Sequence, residues 1–261
     1  MNDIVVITGF AVTALTLLSA SVQDIRSREV SDIHWYVIGA AGIVSMILST
    51  NGTVTAGRMM VCIGTLMILF DIFHDRGWTR RADVLFYSVI VLMFAVPLAS
   101  SSDDVFIVSS MTVPVCCLIF VSLFFTGVIK GGADAKCLIS LAVMFPSYPV
   151  TSFFPLISVP PSLITMFMPF PAAVLFCASL FSAAAMIPVI IRNILRGDTE
   201  MPNMFTGYMI DPSDVQRSHV WLMEGQEGKE RVWVTPKIPF IVPLTAAAVF
   251  VACAGNIFFL I

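Results

Sequence analysis

Apolar stretches close to bilayer-crossing length recur along this chain, and that recurrence constrains its fold more than any other feature. Residues 4–22 (IVVITGFAVTALTLLSASV) carry no charge, and further apolar runs fall at about 34–50, 57–73, 83–100, 104–129, 134–147, 167–191 and 239–261. A helix of about 20 apolar residues crosses roughly 30 Å of hydrocarbon. Hydrophobic residues make up 58% of the chain and charged residues 12%. A soluble domain carries about a quarter charged residues. The balance excludes a soluble enzyme, a disordered chain and a secreted disulfide scaffold. The expected fold class is an all-α polytopic integral membrane protein. It should have about eight spanning or half-spanning helices and a polar cytoplasmic segment before the last one.

Orientation follows Lys and Arg, which favour cytoplasmic loops. With the N-terminus outside, 13 of the 14 basic residues fall on one side and only Arg58 on the other. Met1, Asn2 and Asp3 supply no basic n-region, so the first run reads as a spanning helix rather than a cleavable signal peptide. The chain divides into four parts. Residues 1–147 are membrane helices carrying the candidate catalytic residues, and 148–191 are a Pro-rich segment with a seventh span. Residues 192–238 are a cytoplasmic loop or small subdomain, with a strand expected in KERVWVTPKI, and 239–261 are the last span. The sixth run stops at Pro146 and Pro149 and suits a half-length or tilted helix. Five prolines between Pro155 and Pro171 argue against one regular helix there. No internal repeat is visible, which disfavours an inverted-repeat transporter.

Several chemistries find no support. Cysteines at 62, 116, 117, 137, 177 and 253 form no C-x-x-C pair and read as small buried hydrophobes. His34, His74 and His219 are far apart in sequence, so no metal site and no cofactor are expected. No basic stripe with interleaved aromatics suggests nucleic acid. Asp71, Asp75 and Asp83 are expected to pair with Arg76, Arg80 and Arg81, and Asp103 and Asp104 to be solvated.

Two acidic residues stand out. Asp24 closes the first run and Asp134 opens the sixth, in KGGADAKCL, 110 residues further on. The topology puts both at the same membrane face. Two carboxylates sharing a site do not both ionise cheaply. One then acts as general base on a water while the other, protonated, polarises a carbonyl, with no metal and no covalent intermediate. Gly131 and Gly132 would let substrate or the partner carboxylate approach the backbone. The simpler reading makes the glycines a turn and Asp134 an acidic residue favoured in a helix's first turn.

Three stretches resemble the archaeal prepilin/preflagellin peptidases, a branch of the type IV prepilin peptidases with a GxGD-type aspartyl site. Asp24-Ile25-Arg26-Ser27-Arg28-Glu29-Val30-Ser31-Asp32 is similar to D-x-R-x-R-x-[IV]-x-[ND]. Gly131-Gly132-Ala133-Asp134-Ala135-Lys136-Cys137-Leu138 is similar to G-x-G-D-x-K-x-L. Thr235-Pro236-Lys237-Ile238-Pro239-Phe240 with Pro243 resembles P-x-I-P-F. The resemblance implies a membrane aspartyl endopeptidase in the cell membrane whose active site faces the cytoplasm. Its catalytic residues would be Asp24 and Asp134. Its partners would be archaellin or type IV pilin-like precursors, cut between a short basic leader and an apolar helix. Ala133 departs from the motif's second glycine and suggests a slightly altered turn. Bacterial members that methylate the new N-terminus carry a C-x-x-C domain before the first span; none is seen here, so methylation is not implied.

Other residues carry weaker expectations. Lys136 would stabilise the Asp134 charge, bind substrate carbonyls or simply snorkel. Arg26 and Arg28 would orient Asp24 or serve only the positive-inside bias. Because the implied substrates carry Lys or Arg before the cut, Glu29, Asp32, Asp198 and Glu200 are candidate substrate-binding acids. Two other functions fit the same aspartates. A proton-coupled transporter would place further acids at mid-span, and the runs here are nearly free of them. A presenilin-like intramembrane protease pairs its G-x-G-D motif with Tyr-Asp inside a helix, whereas Asp24 follows Gln23.

Overall fold

The computed structural model describes residues 3–50, 53–74, 77–157, 168–215, 220–223, 225 and 230–255. The helices are α1 (Asp3–Ser27), α2 (Ile33–Leu48), α3 (Ala56–Phe73), α4 (Arg80–Ser100), α5 (Val105–Ser110), α6 (Thr112–Phe125) and α7 (Gly132–Met144). They continue as α8 (Phe170–Ala185), α9 (Ile187–Arg196), the short α10 (Asn203–Thr206) and α11 (Ile241–Ala254). Among the described residues, α1, α3, α4, α5 with α6, and α8 with α9 are long and apolar enough to cross a membrane. Helices α2, α7 and α11 are shorter apolar helices on the remaining runs. The chain is an all-α polytopic membrane protein with one small sheet.

Two runs expected to be continuous are broken. Met111 separates α5 from α6, and Met186 separates α8 from α9. Each break lies just before a proline, Pro114 or Pro188. A proline has no N–H to donate to the carbonyl four residues earlier. Pro155 to Ile157 form no helix, and the Leu156 and Ile157 amides donate to the Cys253 and Ala254 carbonyls at the end of α11. The other part of the Pro-rich stretch, 158–167, lies outside the described residues, as do Asp75, Arg76, Arg217, His219, Lys229 and the end of the last run.

Helix α7 is the centre of the bundle. Ala135 and every residue from Cys137 to Met144 are buried, and α2, α6 and α8 pack on it. Close approach is enforced at Gly42 on α2, where a Cβ would meet the Met144 backbone at 2.8 Å. Small residues at helix interfaces are the usual device for this in a membrane. Helix α11 packs between α8 and α1, and the Ser21 and Thr245 hydroxyls lie 2.7 Å apart across the α1–α11 contact. Large side chains such as Leu15, Leu85, Val91 and Leu118 face outward, as expected of a lipid-facing surface.

The polar segment before α11 carries an antiparallel sheet ordered β1 (Tyr208–Ile210), β3 (Val232–Pro236), β2 (Val220–Leu222). Strand β3 lies in the segment whose alternation suggests a strand.

At the opposite end of the bundle, Arg58 is held by Asp104, with Nε–Oδ2 2.7 Å and Nη2–Oδ1 3.2 Å. Arg58 Nη1 also donates to the Thr50 and Thr53 carbonyls. Asp104 is therefore not the solvated acid expected from sequence; it neutralises the one basic residue on the minority face. The Arg58 guanidinium holds the Asp104 carboxyl below the usual carboxylate range, just outside the span that starts at Val105. A depressed carboxyl stabilises the fold above its unfolded pKa, and the contribution disappears as pH falls through the folded value. Asp104→Asn is expected to lower stability by about 1–3 kcal/mol near neutral pH. In detergent melting curves the gap between variant and parent should close as the pH falls through the lowered carboxyl value.

Candidate active site

The end of the bundle opposite Arg58 gathers the end of α1 and the starts of α2, α7 and α11. Asp24, in the last turn of α1, is buried, and its Oδ2 accepts the Ile241 backbone N–H at 3.2 Å. The donor is the first amide of α11, one of the groups a helix leaves without an internal partner. Pro239 precedes this helix and Pro243 sits in its first turn, where a missing N–H costs nothing. The third sequence stretch therefore delivers a hydrogen-bond donor to the first.

Asp134 is partly buried in the first turn of α7, behind the N-cap Gly131. Its carboxylate folds back onto the Gly131 amide. A Cβ at position 131 would collide with Asp134 Oδ2. At Gly132 a Cβ would meet only the Phe124 ring, at 3.8 Å. Position 131 thus has no room for a side chain while Asp134 keeps this orientation, whereas position 132 has. Ala133 lies inside α7, and Arg28 is the only non-glycine with positive φ among the described residues. The altered turn expected from Ala133 is absent, because a helical residue has no need of glycine's extra freedom. Asp24 and Asp134 stand at the same end of the bundle, on helices α1 and α7 that both pack against α2.

The surrounding residues are placed as follows. Lys136 Nζ reaches Asp32 Oδ2 at 2.6 Å and lies 5.9 Å from the Phe73 ring centroid. It thereby ties the first stretch to the second. Ser140 Oγ adds a bond of 3.3 Å to the Trp35 carbonyl. Arg26 is exposed in the last turn of α1, and Arg28 follows with φ 58°. Glu29 is exposed, and its carbonyl accepts the Ser27 hydroxyl at 2.8 Å. Asp198 accepts both Arg231 Nη1 and Nη2 at 3.2 Å, and Glu200 Oε2 accepts Trp233 Nε1 at 2.7 Å. Those two acids are engaged in fixing the sheet to the end of α9. Asp71, expected to pair with arginine, accepts the Tyr87 hydroxyl at 3.1 Å. Among the described residues no cluster of three His, Cys, Asp or Glu is arranged to hold a metal ion.

Sequence reasoning missed two participants. The Ile241 amide is a backbone group with no residue signature of its own, although the Ile238-Pro239-Phe240 stretch marked the spot. The strained backbone of Arg28 had no signal at all.

No family model matches the chain. Curated relatives match it along nearly its whole length. The preflagellin peptidase of Methanocaldococcus jannaschii is 24% identical over 95% of this chain and 94% of its own. That of Methanococcus maripaludis is 24% identical and that of Methanococcus voltae 26%, each over 95% of both chains. This likeness supports assigning the chain to the preflagellin/prepilin peptidase family. The family's G-x-G-D pattern has Ala133 at its second glycine here, and the helical conformation explains why alanine fits. Ala133→Gly is expected to lower stability by about 0.5–1 kcal/mol, the cost of glycine in a helix. A rise in melting temperature instead would mean that position 133 is not helical.

Proposed function

We propose that this protein is a membrane aspartyl endopeptidase that removes the short basic leader from archaellin or type IV pilin-like precursors on the cytoplasmic side. The reading is supported by the placement of Asp24, at the end of α1, and Asp134, in the first turn of α7, at one end of the bundle, where the Lys136–Asp32 pair joins the two stretches. The full-length likeness to proteins named preflagellin peptidase supports the substrate class.

The reaction is the addition of water to a peptide bond. One aspartate takes a proton from water as its oxygen adds to the carbonyl carbon. The other, protonated, donates a hydrogen bond to the carbonyl oxygen and then supplies the proton that lets the amine leave. The Ile241 amide fixes the Asp24 carboxylate. Gly131 leaves room for Asp134 to fold back. Lys136 and Asp32 hold α2 against α7.

The test is cleavage of a precursor by membranes containing amount-matched variants. Asp24→Asn and Asp134→Asn should each lose at least about 10²-fold in rate. Near-normal cutting by either would remove that residue from the mechanism. Gly131→Ala should also impair cutting by displacing Asp134, whereas Gly132→Ala should not. Chelators are expected to leave the rate unchanged; recovery by zinc after a chelator-induced loss would point to a metallopeptidase.

Selectivity for a basic leader is the finer part of the reading. Asp32, Asp198 and Glu200 already hold cations or an indole N–H. Glu29 is the exposed acid of the group nearest Asp24 in sequence. An exposed ion pair contributes about 0–1 kcal/mol, so Glu29→Lys should slow cutting of a Lys-preceded leader by no more than about five-fold. A leader with Glu at that position should recover part of the loss. Equal rates for both leaders would show that Glu29 does not read the substrate.

A further inference from the structure

Arg28 is held in a conformation that its backbone disfavours. At φ 58° it lies in the left-handed region, where glycine is the usual occupant. The position has a local purpose: the Arg28 amide donates to the Asp24 carbonyl at 3.0 Å and closes α1 one turn after the aspartate. Closing the helix needs only a left-handed residue, which glycine would supply without strain. The arginine side chain adds a second cost, because Nε and Nη1 are buried from solvent and have no acceptor among the described residues. Arg58, a partly buried arginine at the opposite end of the bundle, shows the alternative, with Nε, Nη1 and Nη2 all hydrogen-bonded. Strain and unpaired donors at one residue beside a candidate site are expected where the group has a task in the bound state.

We propose that Arg28 is a catalytic residue whose unpartnered guanidinium N–H groups bind the carbonyl oxygen of the substrate's scissile peptide, beside the Asp24–Asp134 pair. The proposal rests on the leader-peptidase reading and extends it. Arg28 follows Asp24 by one helical turn and its amide is bonded to the Asp24 carbonyl at 3.0 Å, so its side chain starts beside the candidate site. Its ligand is an oxygen acceptor, since a positive group repels the basic side chains of the leader. When water adds, the carbonyl π pair moves onto that oxygen. The protonated aspartate and Arg28 then share the developing negative charge, which returns to the carbon as the C–N bond breaks and the amine takes its proton.

The experiment compares the full-length protein with Arg28→Gly and Arg28→Lys in the precursor-cleavage assay, with Asp24→Asn as the inactive control. Glycine suits the backbone, so Arg28→Gly should melt no lower than the parent. Its kcat should fall about 10²–10³-fold, the loss typical of one oxyanion donor, with KM little changed. Millimolar guanidinium, below denaturing levels, should restore part of the kcat of Arg28→Gly and none of that of Asp24→Asn. Arg28→Lys should be intermediate. Unchanged kcat in Arg28→Gly overturns the proposal. So does a loss that guanidinium does not relieve, or one that a change of assay pH alone restores, since Arg28 would then only set the charge on Asp24. If the parent protein cuts no precursor, the leader-peptidase reading fails and this proposal fails with it. If the parent cuts and Arg28→Gly cuts equally well, only the Arg28 role is lost.

Discussion

A carboxylate buried in an apolar bundle needs a donor, and the geometry of this protein turns on how Asp24 gets one. The donor is the first amide of α11, more than two hundred residues away in sequence. Helix N-termini are where such amides exist, because interior ones are spent within the helix. Asp24 therefore requires α11 to begin beside the end of α1, and the Ser21–Thr245 contact fixes the two helices one turn deeper. Helix α8 packs against α11 and α7, and α2 packs against both α1 and α7. The placement of one carboxylate thus propagates to the four helices around it.

The two ends of the bundle solve the problem of polar groups near lipid differently. At one end Arg58 and Asp104 neutralise each other and cap the loops with a closed set of hydrogen bonds. At the other end the Lys136–Asp32 pair is partly exposed, and Arg28 has donors with no acceptor among the described residues. A closed network adds rigidity, whereas open donors have a use only when something else arrives. The candidate site is at the open end.

The sequence was most informative where physical demands repeat along the chain. Apolar runs located the helices, and the short sixth run correctly suggested a half-length helix. The breaks at Met111 and Met186 were also legible, since Pro114 and Pro188 lack the amide a continuous helix needs, but hydropathy alone passes over them. Asp24 and Asp134 were visible because each stands at the edge of an apolar run, where an acid is costly. The topology count put them at one face, but the packing of α2 on both α1 and α7 that joins their ends was not visible, because it follows from tertiary contacts rather than from local pattern. The same holds for Lys136 with Asp32 and for Arg58 with Asp104. Asp198 and Glu200 have partners that the sequence did not show. Their position near the inner end of a span suggested substrate, while their partners Arg231 and Trp233 lie on a strand whose pairing no local signal gave. Ala133 differs again: the motif suggested a slightly altered turn, and the residue lies in the helix.

The length of α7 bears on how such a site meets its substrate. Its 13 residues rise about 20 Å at 1.5 Å each, short of the roughly 30 Å of hydrocarbon in a typical bilayer. Longer helices flank it, with 25 residues in α1 and 18 in α3. A short helix enclosed by longer ones cannot reach both membrane surfaces, so at least one of its ends lies recessed. At the end carrying Asp134, an acid set below the headgroups would meet a substrate where an apolar helix gives way to a polar leader. The polar groups there that solvent reaches are the partly buried Asp134 and the partly exposed Lys136–Asp32 pair. For the proposed reaction this arrangement has a direct consequence. Those groups bring in the water that attacks, while the hydrocarbon around them positions the apolar helix of the substrate.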